Sequence, residues 1–562
     1  MTGILATNIT SPLGLDSLQN YASVRKGGSA LHTLDGWEGV PERVCVGAFS
    51  PRQREDLAIP GFTRFQSLVI RSVSEALKHT EVDLSSGRTV FILSTTKGDV
   101  GELAADPADD GEYLAPGAAA RKIAAYFGIT TEPLVVCNAC ISGVTAQLLA
   151  DRLISAGEFD TAIVCGADIL SAFTLAGFTS FKSLSPVECR PFDIERLGLN
   201  LGEAAATMIL GRQGGSWRIV SGCLDNDAYH VSAPSPDGEG VLRAIMSTLA
   251  DGVKGRLATV SAHGTATMFN DQMESRAIAG AGLGDIPVSA YKGCFGHTLG
   301  ASGILESVIT MCSVDDGVIL PVRGFEEAGV SGRINVCDRE TATDGGEFLK
   351  IISGFGGCNG AVLYSKLPAE KPAERISRRY GTVHSVSITP DAAVLDGAVL
   401  PVVSRGQALL TELFRSRLED CQKFYKMDLF SRLVFVAAGM LLKEGCGVLD
   451  PATTAVVLFN ASSSVIADRQ HLGTFPSAGD FYPSPSVFLY TLPNVVLGEL
   501  AATFGIKGET TFIILAQKDG TLMNTVVDAT LAATAPSAVI TGWADCSAED
   551  SFEADLKLMK LI

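Results

Sequence analysis

Long apolar runs are missing from this sequence: nothing in its 562 residues approaches the roughly 18 apolar residues of a membrane span, so no spanning helix is expected. The opening Met1-Thr2-Gly3-Ile4 lacks the basic region, sustained apolar stretch and small-residue cleavage site of a secretory signal, and a cytoplasmic location is expected. Basic residues are also in deficit. With 44 Lys and Arg against 62 Asp and Glu, the formal charge of −18 argues against nucleic acid binding through overall basicity. The 13 cysteines are dispersed through a chain too large to need disulfide staples, and they read as free thiols. Cys137 and Cys140 have C-x-x-C spacing, but neither a second such pair nor a spaced histidine pair completes a zinc set, so no metal is expected.

What is present is α/β layering. Short β-branched runs at Thr89–Leu93, Leu134–Val136, Thr161–Val164 and Ala258–Val260 alternate with helical patterns. Val144, Leu148, Leu149 and Leu153 recur at helical spacing, which puts Cys140 where a buried strand turns into a helix. A thiol there faces unpaired N–H groups and the positive end of a helix dipole, which favours thiolate and supplies donors to a developing oxyanion. Histidine is scarce, at seven residues, yet His263 and His297 both lie in Gly/Thr-rich turns after short strands, a placement that favours catalysis over structure.

These residues resemble the β-ketoacyl synthases of the thiolase-fold superfamily. The resemblance spans nearly all of 1–366. It begins at Ser11-Pro12-Leu13-Gly14 and the Cys140 turn, and continues through Arg190-Pro191-Phe192-Asp193, Arg196-Leu197-Gly198 and Gly202-Glu203-Ala204. His263-Gly264-Thr265, Asn270-Asp271, Lys292, Gly296-His297, Gly300-Ala301 and Gly303 follow, and Gly354-Phe355-Gly356-Gly357-Cys358-Asn359-Gly360 ends it. It implies a layered αβαβα fold and decarboxylative condensation of an acyl thioester with malonyl-carrier protein. Cys140 would be the acylated nucleophile, with His263 and His297 holding the enolate. The N–H groups of Cys140 and Phe355 would form an oxyanion hole, with Phe355 also gating the acyl channel. Lys292 and Glu306 would form a charged pair ordering the histidines, and Thr265 and Thr267 would bind the phosphopantetheine arm. That arm comes with the acyl-carrier protein, so no tightly bound cofactor is expected. The carrier is the expected partner, guided by basic residues such as Arg121 and Lys122, beside a homodimeric or heterodimeric synthase-type subunit.

Lys366 to Arg378 has mixed charges, two prolines and no apolar periodicity, which places a linker at 367–379 between a domain at 1–366 and another at 380–562. The second repeats the first half of the leading domain. Phe127-Gly128-Ile129 recurs as Phe504-Gly505-Ile506, and eleven residues beyond each isoleucine stand Cys140 and Gln517. Both copies continue to a glycine, Gly143 or Gly520, then a helix and a strand ending at Asp168 or Asp545, after which the second copy is expected to stop. With Gln517 for cysteine and no following half to supply histidines, this copy is expected to be inactive. It resembles chain-length factors, and the tract Ser484–Asn494 is similar to short domains of that type from aryl-polyene pathways. Two other readings stand beside condensation: a noncatalytic scaffold or length-determining subunit, and acyl transfer or hydrolysis without carbon–carbon bond formation.

Overall fold

A computed structural model describes residues 2–562 except 38–39, 41, 105, 107, 109, 251, 368–378, 419–420, 446, 448 and 476–482. The linker expected at 367–379 therefore lies, apart from its two end residues, outside the described residues. Five strands, β1 (Thr2–Thr10), β2 (Thr89–Ser94), β3 (Leu134–Val136), β4 (Thr161–Asp168) and β5 (Ala204–Gly211), form a first sheet in the order β3-β2-β4-β5-β1. The pairs β2/β3 and β2/β4 are parallel, the other two antiparallel. A second sheet repeats this pattern with β6 (Trp217–Asn226), β7 (Leu257–Ser261), β8 (Pro287–Ser289), β9 (Glu347–Gly354) and β10 (Cys358–Ser365), ordered β8-β7-β9-β10-β6. Helices α1 (Ser142–Ala156) and α2 (Ser302–Asp315) lie between the two sheets, against each other and against strands of both. This is the αβαβα layering expected from the resemblance. Burial on both faces explains why β2 and β5 read as continuous apolar runs.

The chain then builds the first pattern once more. Strands β11 (Tyr380–Ile388), β12 (Ala455–Asn460), β13 (Thr510–Ile514), β14 (Ala538–Ala548) and β15 (Ser551–Leu561) are ordered β13-β12-β14-β15-β11, with the same parallel and antiparallel pairs. The repeat does not stop after β14, as the sequence suggested, because a hairpin at Glu549–Asp550 returns the chain as a fifth strand. β15 reads S-F-E-A-D-L-K-L-M-K-L and alternates, with Phe552, Ala554, Leu556 and Leu558 buried and Glu553, Asp555 and Lys557 on the other face. Its counterpart β5 is buried throughout. One face of β15 is thus partly solvated where β5 is covered on both, while β12 and β13 stay buried throughout.

The repeat docks on the first sheet at β3. The offset of 377 residues between Ile129 and Ile506 maps Val136 onto Ile513, and these two residues pair directly where β3 and β13 run antiparallel. The Cys137 N–H donates to the Phe512 carbonyl at 3.1 Å. Helix α3 (Gly520–Thr534), the counterpart of α1, packs against α1 beside this pairing. A local two-fold axis therefore passes through the Val136–Ile513 pair. The repeat extends to side chains. Asp168 accepts from Thr95 Oγ1 and from the Thr96 N–H and hydroxyl in the turn after β2, and Asp545 likewise accepts from the Ala461 and Ser462 N–H groups after β12.

Across the same junction Arg152 donates to Glu509 at 2.8 Å, both side chains nearly fully buried. Removing one member of such a pair strands the other charge, so Glu509→Leu is expected to lower unfolding free energy by about 3–5 kcal/mol. Denaturant titration followed by tryptophan fluorescence checks this. Among the described residues no helix is long and apolar enough to cross a membrane.

Candidate active site

The strand β3 ends in a turn that the sequence makes with small residues. Ala139 takes a left-handed backbone, φ 48°, and Ser142 Oγ accepts the Asn138 N–H at 2.8 Å while donating to the Ala139 carbonyl at 2.6 Å. Cys140 sits in this turn, one residue before the Ile141 cap of α1. Gly143 lets α1 meet the other half of the fold: a Cβ there would stand 2.9 Å from the Gly300 carbonyl oxygen. At Gly354 a Cβ would lie 3.2 Å from the Cys140 nitrogen, so glycine brings the Phe355 loop against the nucleophile's amide.

His263 follows β7, and His297 follows Gly296, whose φ is 72°. One ligating atom from each of Cys140, His263 and His297 lies within 4.8 Å of the others. The imidazole rings face each other edge to face at 5.2 Å. Their tautomers follow from their neighbours. The Leu299 N–H can only donate, and it points at His297 Nδ1 at 3.3 Å, with Ser302 Oγ 2.9 Å from the same atom. Lys292 Nζ, also donor only, lies 3.0 Å from His263 Nδ1. Both rings therefore carry their proton on Nε2, and that of His297 is buried with no protein partner. Burial, then the Lys292 charge, pushes both histidines well below the usual imidazole value, with Lys350 adding to the effect. They are neutral donors.

Lys292 uses its three N–H groups on His263 Nδ1, on the His263 carbonyl at 2.6 Å and on Glu306 Oε1 at 2.6 Å. The predicted Lys292–Glu306 pair is thus formed and fully buried. By distance alone, Cys140 and the two histidines could ligate a metal ion. An ammonium in contact with one of the ligands repels a dication, which weighs against it.

Other groups were not legible in the sequence. Lys350 on β9 donates to Glu306 and to the Ala262 carbonyl at 3.0 Å. Glu274 accepts from the N–H groups of His263 and Gly264, at 2.8 Å for the latter. The thiol also departs from expectation. Burial pushes Cys140 up to about 12, against an opposing pull from Lys292, so the resting residue is a thiol despite its place by a helix N-terminus.

Cys140, His263, His297, Thr265, Thr267 and Phe355 line one open cavity of about 350 Å³. The Thr265 and Thr267 hydroxyls are 2.9 Å apart. Behind Cys140 lies a second space of about 20 Å³, lined by Lys97, Phe178, Phe355 and, from the repeat, Phe488 and Leu492. Phe488 lies so close over Gly177 that a Cβ there would meet its ring at 2.2 Å. Lys97 crosses the junction to Asp468 at 2.7 Å and to the Thr491 carbonyl. Asn494 Nδ2 donates to the Phe355 carbonyl at 2.9 Å, and Asn138 both donates to the Thr510 carbonyl and accepts from the Phe512 N–H. Gln517 is exposed at the corner before α3 and joins none of this. Arg121 is paired with Glu132, and Lys122 lies over Phe62; neither lines the mouth.

Residues 49–214 match the model of the β-ketoacyl synthase N-terminal domain and residues 218–326 that of its C-terminal domain. A putative mitochondrial 3-oxoacyl-[acyl-carrier-protein] synthase of Schizosaccharomyces pombe is 28% identical, over 65% of this chain and 98% of the relative. The tetracenomycin polyketide synthase ketoacyl synthase alpha subunit of Streptomyces glaucescens is 32% identical, over 45% of this chain and 65% of the relative. Among solved structures, the PfaC keto synthase–chain length factor superposes on 100% of this chain and 78% of its own, with a TM-score of 0.80 at 13% identity. The ketosynthase ApeO in complex with its chain length factor ApeC, from Xenorhabdus doucetiae, covers 65% of this chain and 97% of its own, with a TM-score of 0.54 at 24% identity.

Proposed function

Because this chain belongs to the β-ketoacyl synthases, transferases that condense acyl units in fatty acid or polyketide elongation, we propose that it joins an acyl thioester to malonyl-acyl-carrier protein through an acyl-Cys140 intermediate. The observation that carries this reading is the pair of neutral imidazoles with Nε2–H groups beside a cysteine. Cys140 Sγ attacks the acyl thioester carbonyl, and the phosphopantetheine thiol leaves with the cysteine's proton. Malonyl thioester then loses its carboxylate as CO2, and the electron pair of the broken C–C bond becomes an enolate. The Nε2–H groups of His263 and His297 donate to the enolate oxygen, a charge absent from the ground state, so they lower the barrier rather than merely bind. The enolate carbon attacks the acyl-Cys140 carbonyl, whose oxygen faces the N–H groups of Cys140 and Phe355. Collapse breaks the C–S bond and restores the thiol with a proton from solvent.

In this reading the carrier protein presents its arm at the mouth lined by Thr265 and Thr267. Residues 1–366 form the condensing domain, and residues 380–562 act as a tethered chain-length-factor-like partner. Phe488 and Leu492 support that role by closing the space behind Cys140. The β3 edge, where a separate subunit would pair, is occupied by β13 of the same chain. The scaffold reading leaves the buried lysine–glutamate–histidine cluster without a use.

The pH dependence tests the donor assignment. Because both histidines are pushed below their ordinary value, decarboxylation of malonyl-carrier protein is expected to hold level as pH falls from 7.5 past about 6.5 and to decline only further down. Steady-state CO2 release across pH 5–8 measures this. A loss centred near 6.5 or above would mean that an ordinary or charged histidine does the work.

A further inference from the structure

The condensing chemistry above uses Lys292 but gives no task to Lys350. Its side chain is 0% exposed on β9, between the buried Leu349 and Ile351. An apolar side chain would fill that place without the cost of stripping water from an ammonium, which amounts to several kcal/mol for a buried ion. Its contacts say what it does. Lys350 holds the Ala262 carbonyl, Glu274 holds the His263 and Gly264 N–H groups, and Lys292 holds the His263 carbonyl. The backbone on both sides of the histidine is therefore gripped by buried ionisable groups. Glu306 sits between the two lysines, one carboxylate oxygen on each.

We propose that Lys350 is a positioning residue for condensation: it fixes the His263 segment through the Ala262 carbonyl and, through Glu306, holds Lys292 on the imidazole. Its amino group also meets the second oxygen of the Glu306 carboxylate, whose first oxygen is held by Lys292. This inference rests on the condensing reading. The groups facing His263 are Cys140, His297, Lys292 with Glu306, Lys350, and Glu274 on its N–H, with Asp271 holding the next turn at Thr265 and Ala266. Of these, Lys292, His297 and Lys350 push His263 down, and burial pushes Glu274 up to about 7. Removing the Lys350 charge lets His263 and His297 take up a proton at higher pH.

The test uses the full chain with Lys350→Gln, which keeps a donor and loses the charge, and Lys350→Met, which loses both. Acylation of Cys140 is followed by intact mass, and malonyl decarboxylation is followed by CO2 release against pH. In Lys350→Gln, acylation is expected to stay within about threefold of wild type, decarboxylation to fall about tenfold, and its acid limb to move to higher pH. Lys350→Met is expected to lose more decarboxylation than Lys350→Gln. The proposal is overturned if the acid limb does not move, or if acylation and decarboxylation fall by the same factor. It is equally overturned if Lys350→Gln unfolds, since the charge would then serve folding alone. If wild type neither acylates nor decarboxylates, the condensing reading fails instead.

Discussion

His297→Ala is expected to leave Cys140 able to take up an acyl group while cutting malonyl decarboxylation, and hence condensation, by about 10²–10³-fold, the usual cost of one preorganised oxyanion donor. The reason is geometric. The Nδ1 side of this ring is occupied by the Leu299 N–H and the Ser302 hydroxyl, so its proton sits on Nε2, buried and without a protein partner. A buried donor left unpaired is costly, and a protein retains one where a ligand atom completes the bond. Alanine removes that donor but leaves the acylation machinery of the Cys140 turn in place. The acylated enzyme should therefore accumulate when acyl- and malonyl-carrier proteins are supplied together, and intact mass would display it. Equal loss of acylation and decarboxylation would instead make His297 a structural support of the turn.

The second large effect concerns the repeat. Phe488 closes the space behind Cys140 and is wedged among Gly177, Phe173, Phe178, Phe181 and His471. It is held too tightly to swing aside without repacking its neighbours. Phe488→Ala removes the ring and opens room for a longer acyl group. For an acyl donor two carbons beyond the wild-type limit, kcat/KM should rise by at least about 10–200-fold, the range a single methylene is worth in an apolar pocket. The cavity also costs about 3–5 kcal/mol of stability. Competition between donors of graded length, read by mass spectrometry of the Cys140 adduct, measures the shift. An unchanged length limit would place the end of the channel elsewhere and remove the strongest support for a length-setting repeat.

The sequence was most informative where chemistry and backbone geometry coincide. His263 and His297 stand beside glycines with left-handed backbone, Gly264 and Gly296, and Cys140 stands in a small-residue turn closed by the tightly approached Gly143, so these turns mark them and the structure brings the three together. The Phe-Gly-Ile tripeptide located the repeat well enough for its offset to name the residue pair at the local two-fold axis. Four features were out of reach. Lys350 lies in an apolar strand where a single lysine reads as the solvent face, and only the partners that meet it show otherwise. Phe488, Asp468 and Asn494 matter because of how the repeat docks, which one-dimensional patterning does not encode. For Cys140, proximity to a helix N-terminus argued for a thiolate, but burial outweighs it in the resting protein. The fifth strand of the repeat was missed because its charged alternating face looks unlike its apolar counterpart.

The central claim is that Cys140 carries the growing chain, and intact-protein mass tests it most directly. Wild type, Cys140→Ala and Gln517→Ala are each mixed with acyl-carrier protein, and malonyl-carrier protein is then added. Wild type and Gln517→Ala should gain one acyl mass and release a β-ketoacyl product, while Cys140→Ala should do neither. A wild-type protein that never acylates with any chain offered, or an adduct that survives in Cys140→Ala, would contradict the account.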